Sequence, residues 1–113
     1  MKILTDQDLN NAGIQVKHHY SDREYAKECF IPAGTVLEQH DHPYSHLSVL
    51  GRGRALVEVG GIKTEYQGPC CITIDAGVIH TVTAITDVDW YCIHAVQDKD
   101  PNTVDATILS KEQ

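Results

Sequence analysis

A chain of 113 residues, 42% hydrophobic and 22% charged, has the composition of one globular domain and is too short for a core plus a separate module. Its formal charge is -7, with 16 acidic residues against 9 basic ones and no Lys/Arg run, which argues against nucleic acid or an anionic membrane as partner. No apolar stretch approaches the length of a membrane span, and the start MKILTDQDLNN is too polar and acidic for a targeting segment, so the expected location is the cytoplasm.

Taken in chain order, Thr5 and Asp8 predict a capping box for one short helix ending before Gly13, since each side chain can satisfy an exposed amide of the other. From Ile14 onward, short runs rich in Val, Ile, Thr, Tyr and Cys alternate with Gly, Pro and Asp, an all-β pattern. The expected strands are 14–20, 24–31, 36–40, 46–50, 55–59, 63–67, 70–74, 81–86 and 89–96. Turns are expected at Pro32-Ala33-Gly34 and Asp75-Ala76-Gly77, and Gly60-Gly61 predicts a tight hairpin between its flanking strands. The tail from Asp98 to Gln113 is mostly polar and receives no chemistry.

The four cysteines, without a CxxC pair, read as reduced thiols, and the adjacent Cys70 and Cys71 as small core fillers on a strand that turns them to opposite faces. The runs 47–50 and 90–96 are apolar at both parities, so something must cover their outer side. A second copy of the chain is the expected cover, which makes a homodimer.

The chemistry concentrates in histidine. Three of the seven fall in one heptapeptide, HDHPYSH, as His40, His42 and His46. Their even parity, carried across a possible break at Pro43, predicts that the three imidazoles share one face and converge on one point. Neutral imidazoles pack poorly but make a good donor set for Zn, Fe, Cu, Ni or Mn. His18 and His19 are adjacent, so only one can face inward, and a solvated or edge-strand role is expected of them.

The run from Gly34 through His40, His42 and His46 to Gly53 resembles the first motif of the cupins, with His46 standing where that motif carries Glu. The segment 68–84 resembles the second motif, with Asp75 in the place of its usual Pro and Ala84 in the place of its usual Asn. The resemblance implies a single domain over residues 1–113 folded as a double-stranded β-helix, or jelly-roll barrel. It also implies a metal held inside the barrel by His40, His42, His46 and His80.

Four neutral ligands leave a divalent metal its full charge, which favours anionic or enolate-like oxygen ligands and the reduced metal state. Related all-histidine cupins include dioxygenases, so the resemblance implies an Fe- or Mn-dependent oxygenase-type oxidoreductase acting on a small oxygen- or sulfur-containing substrate. Two other classes stay open: a non-catalytic module that binds a small ligand, and a metal-dependent isomerase or lyase.

Among candidate helpers, Tyr44 either donates a proton or lies on the barrel rim. Glu38 either orients an imidazole or is an exposed strand carboxylate, and Arg52 and Arg54 either hold a carboxylate substrate or are solvated hairpin residues. On the last strand, either Trp90, Cys92 and His94 face the cavity or Tyr91, Ile93 and Ala95 do. The first set is expected, because the second is plain apolar surface.

Overall fold

The computed structural model describes residues 5–39 and 45–95. Helix α1, Asp6–Asn11, begins with the expected capping box: the Asp8 amide donates to Thr5 Oγ1 at 3.1 Å and the Thr5 amide to Asp8 Oδ2 at 3.0 Å. Its one buried residue, Leu9, packs into the core. No described helix is long and apolar enough to cross a membrane.

Nine strands follow: β1 Gln15–Tyr20, β2 Glu24–Ile31, β3 Val36–Gln39, β4 His46–Arg52, β5 Arg54–Val59, β6 Ile62–Gln67, β7 Cys70–Ile74, β8 His80–Ala84 and β9 Val88–Ala95. Each coincides with an expected run to within two residues, the largest differences being the end of β4 at Arg52 rather than 50 and the end of β8 at Ala84 rather than 86. They form a five-stranded sheet in the order β1-β2-β9-β4-β7 and a four-stranded sheet in the order β3-β8-β5-β6, antiparallel throughout. Together the two sheets make a jelly-roll barrel.

Gly60 and Gly61, with φ of 57° and 83°, close the β5–β6 hairpin, where Val59 faces Ile62 across the register. Only residues without a Cβ take two consecutive positive φ values at little cost, so the hairpin is written directly into the sequence. Gly53 has a more specific role. Its φ is 94°, and a Cβ there would collide with the Asp87 carbonyl oxygen. The β4–β5 turn thereby presses against the β8–β9 turn, where the Arg54 amide donates to Thr86 Oγ1 at 2.9 Å. Gly53→Ala is expected to lower stability by about 2–3 kcal/mol, from backbone strain plus steric conflict, measured as a shifted urea midpoint at unchanged slope.

The core lies between the sheets. Leu50, Ala55, Val82, Val88 and Trp90 are fully or almost fully buried, as are Ile14 and Ile31 at the end nearer α1. Along β4 the even residues His46, Ser48 and Leu50 point inward, whereas on β3 the inward residue is the odd Leu37. The outer face of the five-stranded sheet carries Ala26, Ile93 and Leu47 side by side in register, with Leu47 48% exposed. Beside them lies a polar trio: Tyr91 Oη donates to Glu28 at 3.0 Å and His19 Nε2 sits 2.8 Å from the other carboxylate oxygen. The His19 hydrogen bond holds the Glu28 carboxyl below its ordinary pKa, while burial pushes the Tyr91 phenol up.

Candidate metal centre

His46 opens β4 in the five-stranded sheet and His80 opens β8 in the four-stranded sheet, so one residue comes from each wall of the barrel. The antiparallel registers fix their direction. His46 lies opposite the buried Ile74, and His80 two residues before the buried Val82 on the same face of β8. The side chains are 6% and 1% exposed, and their ring centres stand 5.8 Å apart with planes inclined at 48°.

That spacing fits two ligands of one ion. Metal–nitrogen bonds of roughly 2 Å put each imidazole centre roughly 3 Å from the metal, so two centres separate by no more than roughly 6 Å. The donor chemistry also fits, since buried imidazoles are the nitrogen ligands that divalent transition metals take. Among the described residues no group of three or more His, Cys, Asp or Glu is arranged to hold an ion. His40 and His42, the other half of the expected ligand set, lie outside the described residues, as does Tyr44.

The parity expectation behind the heptapeptide rests on His40 and His42, which lie outside the described residues. Among the described residues the inward one on β3 is the odd Leu37, whereas on β4 the inward ones are even. A parity rule holds only along one continuous strand. Glu38, at even parity on β3, is exposed and pairs with Thr81 across the outer face, which removes it from the imidazoles.

On β9 the burial alternates, with Val88, Trp90, Cys92 and His94 inward. Trp90 and Cys92 are packed into the core opposite Leu50 and Ser48. His94 alone of the expected trio lines the cavity of about 360 Å³ that opens at this end of the sheet, beside Glu24, Ser45, His46, Thr73 and Ile93. Trp90 is therefore core rather than cavity wall. His94 stacks on His46, with ring centres 4.8 Å apart at 29°.

Arg52 pairs with Asp89 at 3.3 Å and lies 5.6 Å over the Phe30 ring, while Arg54 reaches Glu65 at 3.7 Å, so both serve the hairpin surface. Cys70 packs against the core, and burial raises its thiol pKa, whereas Cys71 is exposed and so is no core filler.

The residues that sequence reasoning missed are His18, Tyr25 and Asp6. His18 lies on the edge strand β1, as expected, and is the one of the adjacent pair that turns inward, but it is not solvated: its side chain is 11% exposed, with Nδ1 2.7 Å from Tyr25 Oη and Nε2 2.7 Å from Asp6 Oδ2. The signal was available in the alternation of β1, where Val16, His18 and Tyr20 share a face, and in the helix that brings Asp6 over them.

No family model matches the chain, and no curated protein does either. Solved structures do. A cupin superfamily protein from Desulfitobacterium hafniense superposes with a TM-score of 0.64 at 14% identity, over 85% of this chain and 84% of that one. The chain folds as a cupin. An RmlC-like cupin from Shewanella frigidimarina gives a TM-score of 0.66 at 15% identity, over 79% and 80%. An RmlC-like cupin family protein from Methanocaldococcus jannaschii, with a double-stranded β-helix fold, gives 0.64 at 10%, over 81% and 85%. At such identities the likeness of this chain to the three is one of fold.

Proposed function

We propose that this cupin binds one divalent transition metal through His46 and His80, completed by His40 and His42, and acts as an oxygenase-type oxidoreductase on a small oxygen- or sulfur-containing substrate. The observation that carries the reading is the meeting of two buried imidazoles, one from each sheet, at 5.8 Å beside an open cavity. A metal held by four neutral nitrogens would keep its full +2 charge and supply Lewis acidity and one-electron chemistry.

The chain's own part is to hold and shelter. His46 and His80, both buried, present nitrogen donors from the two sheets. Ser45 beside His46 offers a hydroxyl to orient a small substrate in the cavity, whose outer rim is formed by Leu47 and Ile93 of the sheet's outer face. The outer row Ala26, Ile93 and Leu47 is proposed to be covered by a second copy. A monomeric mass from light scattering at micromolar concentration would count against that cover.

A second reading, a non-catalytic module that binds a small ligand, is favoured by one observation: Glu24 is the only carboxylate among the described cavity residues. Turnover separates the two. Fe- and Mn-loaded protein, tested with and without oxygen on diketones, thiols and catechols, is expected to take up oxygen with at least one substrate, and His46→Ala to lose that uptake. Stoichiometric metal without any oxygen uptake would leave the binding module standing. Less than one ion per chain after reconstitution would remove the metal site altogether.

A further inference from the structure

A line of polar and aromatic side chains runs from the surface at α1 to the buried histidines. Asp6, with its side chain 40% exposed, accepts from His18 Nε2 at 2.7 Å. With that nitrogen protonated, Nδ1 of the neutral ring is an acceptor, and Tyr25 Oη donates to it at 2.7 Å. Tyr25 is 0% exposed. Its ring stacks on His94 at 6.3 Å and 19°, His94 stacks on His46 at 4.8 Å, and His46 meets His80 at 5.8 Å.

We propose that Tyr25 is a redox-active tyrosine, oxidised by one electron to a neutral phenoxyl radical while its proton passes to His18. Burial alone would make Tyr25 a poor electron donor. A phenol that loses an electron becomes a strong acid, and a cationic radical in an apolar interior is costly. Here the base is already in place.

Oxidation breaks the O–H bond. The proton moves 2.7 Å or less to His18 Nδ1, and the imidazolium so formed lies against the Asp6 carboxylate, which stabilises it by a charge-assisted hydrogen bond. The electron leaves in the other direction, through the stacked rings of His94 and His46. Its acceptor is a one-electron oxidant, either an oxidised transition-metal ion at the proposed centre or an added outer-sphere complex, which is reduced by one unit. Proton and electron thus part at Tyr25, one toward solvent and one toward the barrel interior. The inward half rests on the proposed metal site, whereas the chemistry of Tyr25, His18 and Asp6 does not.

The test uses the full-length, metal-free chain and photogenerated ruthenium(III) tris-bipyridine as oxidant, so that failure of the metal site leaves the result intact. The expected product is the near-ultraviolet absorption band and paramagnetic resonance of a phenoxyl radical, formed more slowly in deuterated water. In a background with Phe at Tyr20, Tyr44, Tyr66 and Tyr91, Tyr25→Phe keeps the ring stack and is expected to lose the signal. The variant with Phe at Tyr20, Tyr44, Tyr66 and Tyr91, which leaves Tyr25 as the sole tyrosine, is expected to keep it. His18→Gln, without a base, is expected to form the radical roughly 100-fold more slowly, the scale of a lost general base. Wild-type protein that yields only a tryptophan radical overturns the proposal. A band that survives Tyr25→Phe in that background, or an unchanged rate when His18→Gln is added to the variant with Tyr25 as sole tyrosine, overturns it as well.

Discussion

His80→Ala is expected to bind divalent metal at least about 100-fold more weakly than the wild type, beyond the range typical for loss of an outer-shell partner. The expectation follows from the placement of His80 at the start of β8, 1% exposed, as the four-stranded sheet's described contribution to the proposed centre. Stability gives a readout that needs no activity. Metal at about 100 times the wild-type dissociation constant raises folding free energy by roughly 2.7 kcal/mol, and the same concentration adds only roughly 0.4 kcal/mol when affinity falls 100-fold. Thermal unfolding of both proteins, with and without metal, would show that difference directly. His94→Ala serves as the comparison, because His94 stacks on His46 and is not one of the proposed ligands. Equal metal-dependent stabilisation of wild type and His80→Ala would sink the ligand role of His80.

The legible part of this chain was local. Capping by Thr5 and Asp8, the Gly60-Gly61 hairpin and the alternation of β9 each depend on residues close together in sequence, so short-range chemistry determines them. His46 and His80 were reached by motif spacing, and the structure sets them on facing sheets. What failed needed knowledge of where one strand ends and the next begins. The inward parity changes between β3 and β4, which puts Glu38 outside. His18 was missed for a related reason. Its partners are a helix twelve residues before it and a tyrosine seven residues after it, and only the packing of α1 on β1 brings them together.

Trp90 was read from sequence as a wall of the substrate cavity, and the structure makes it the largest fully buried side chain of the core. The two placements predict different energies. Trp90 lies in register between Cys29 of β2 and Leu50 of β4, both 0% exposed, so the volume it occupies has no route to solvent along the sheet. Trp90→Ala is therefore expected to cost about 3–5 kcal/mol, the transfer term of a large aromatic plus the cavity it leaves, much of the stability of a domain this size. Trp90→Phe, which refills most of that volume, is expected to lose less than half as much. Urea unfolding followed by circular dichroism measures both, since the only tryptophan is removed and its fluorescence with it. A loss below about 1 kcal/mol in Trp90→Ala would mean that water already reaches the indole, and the ring would then belong to the cavity that His94 lines.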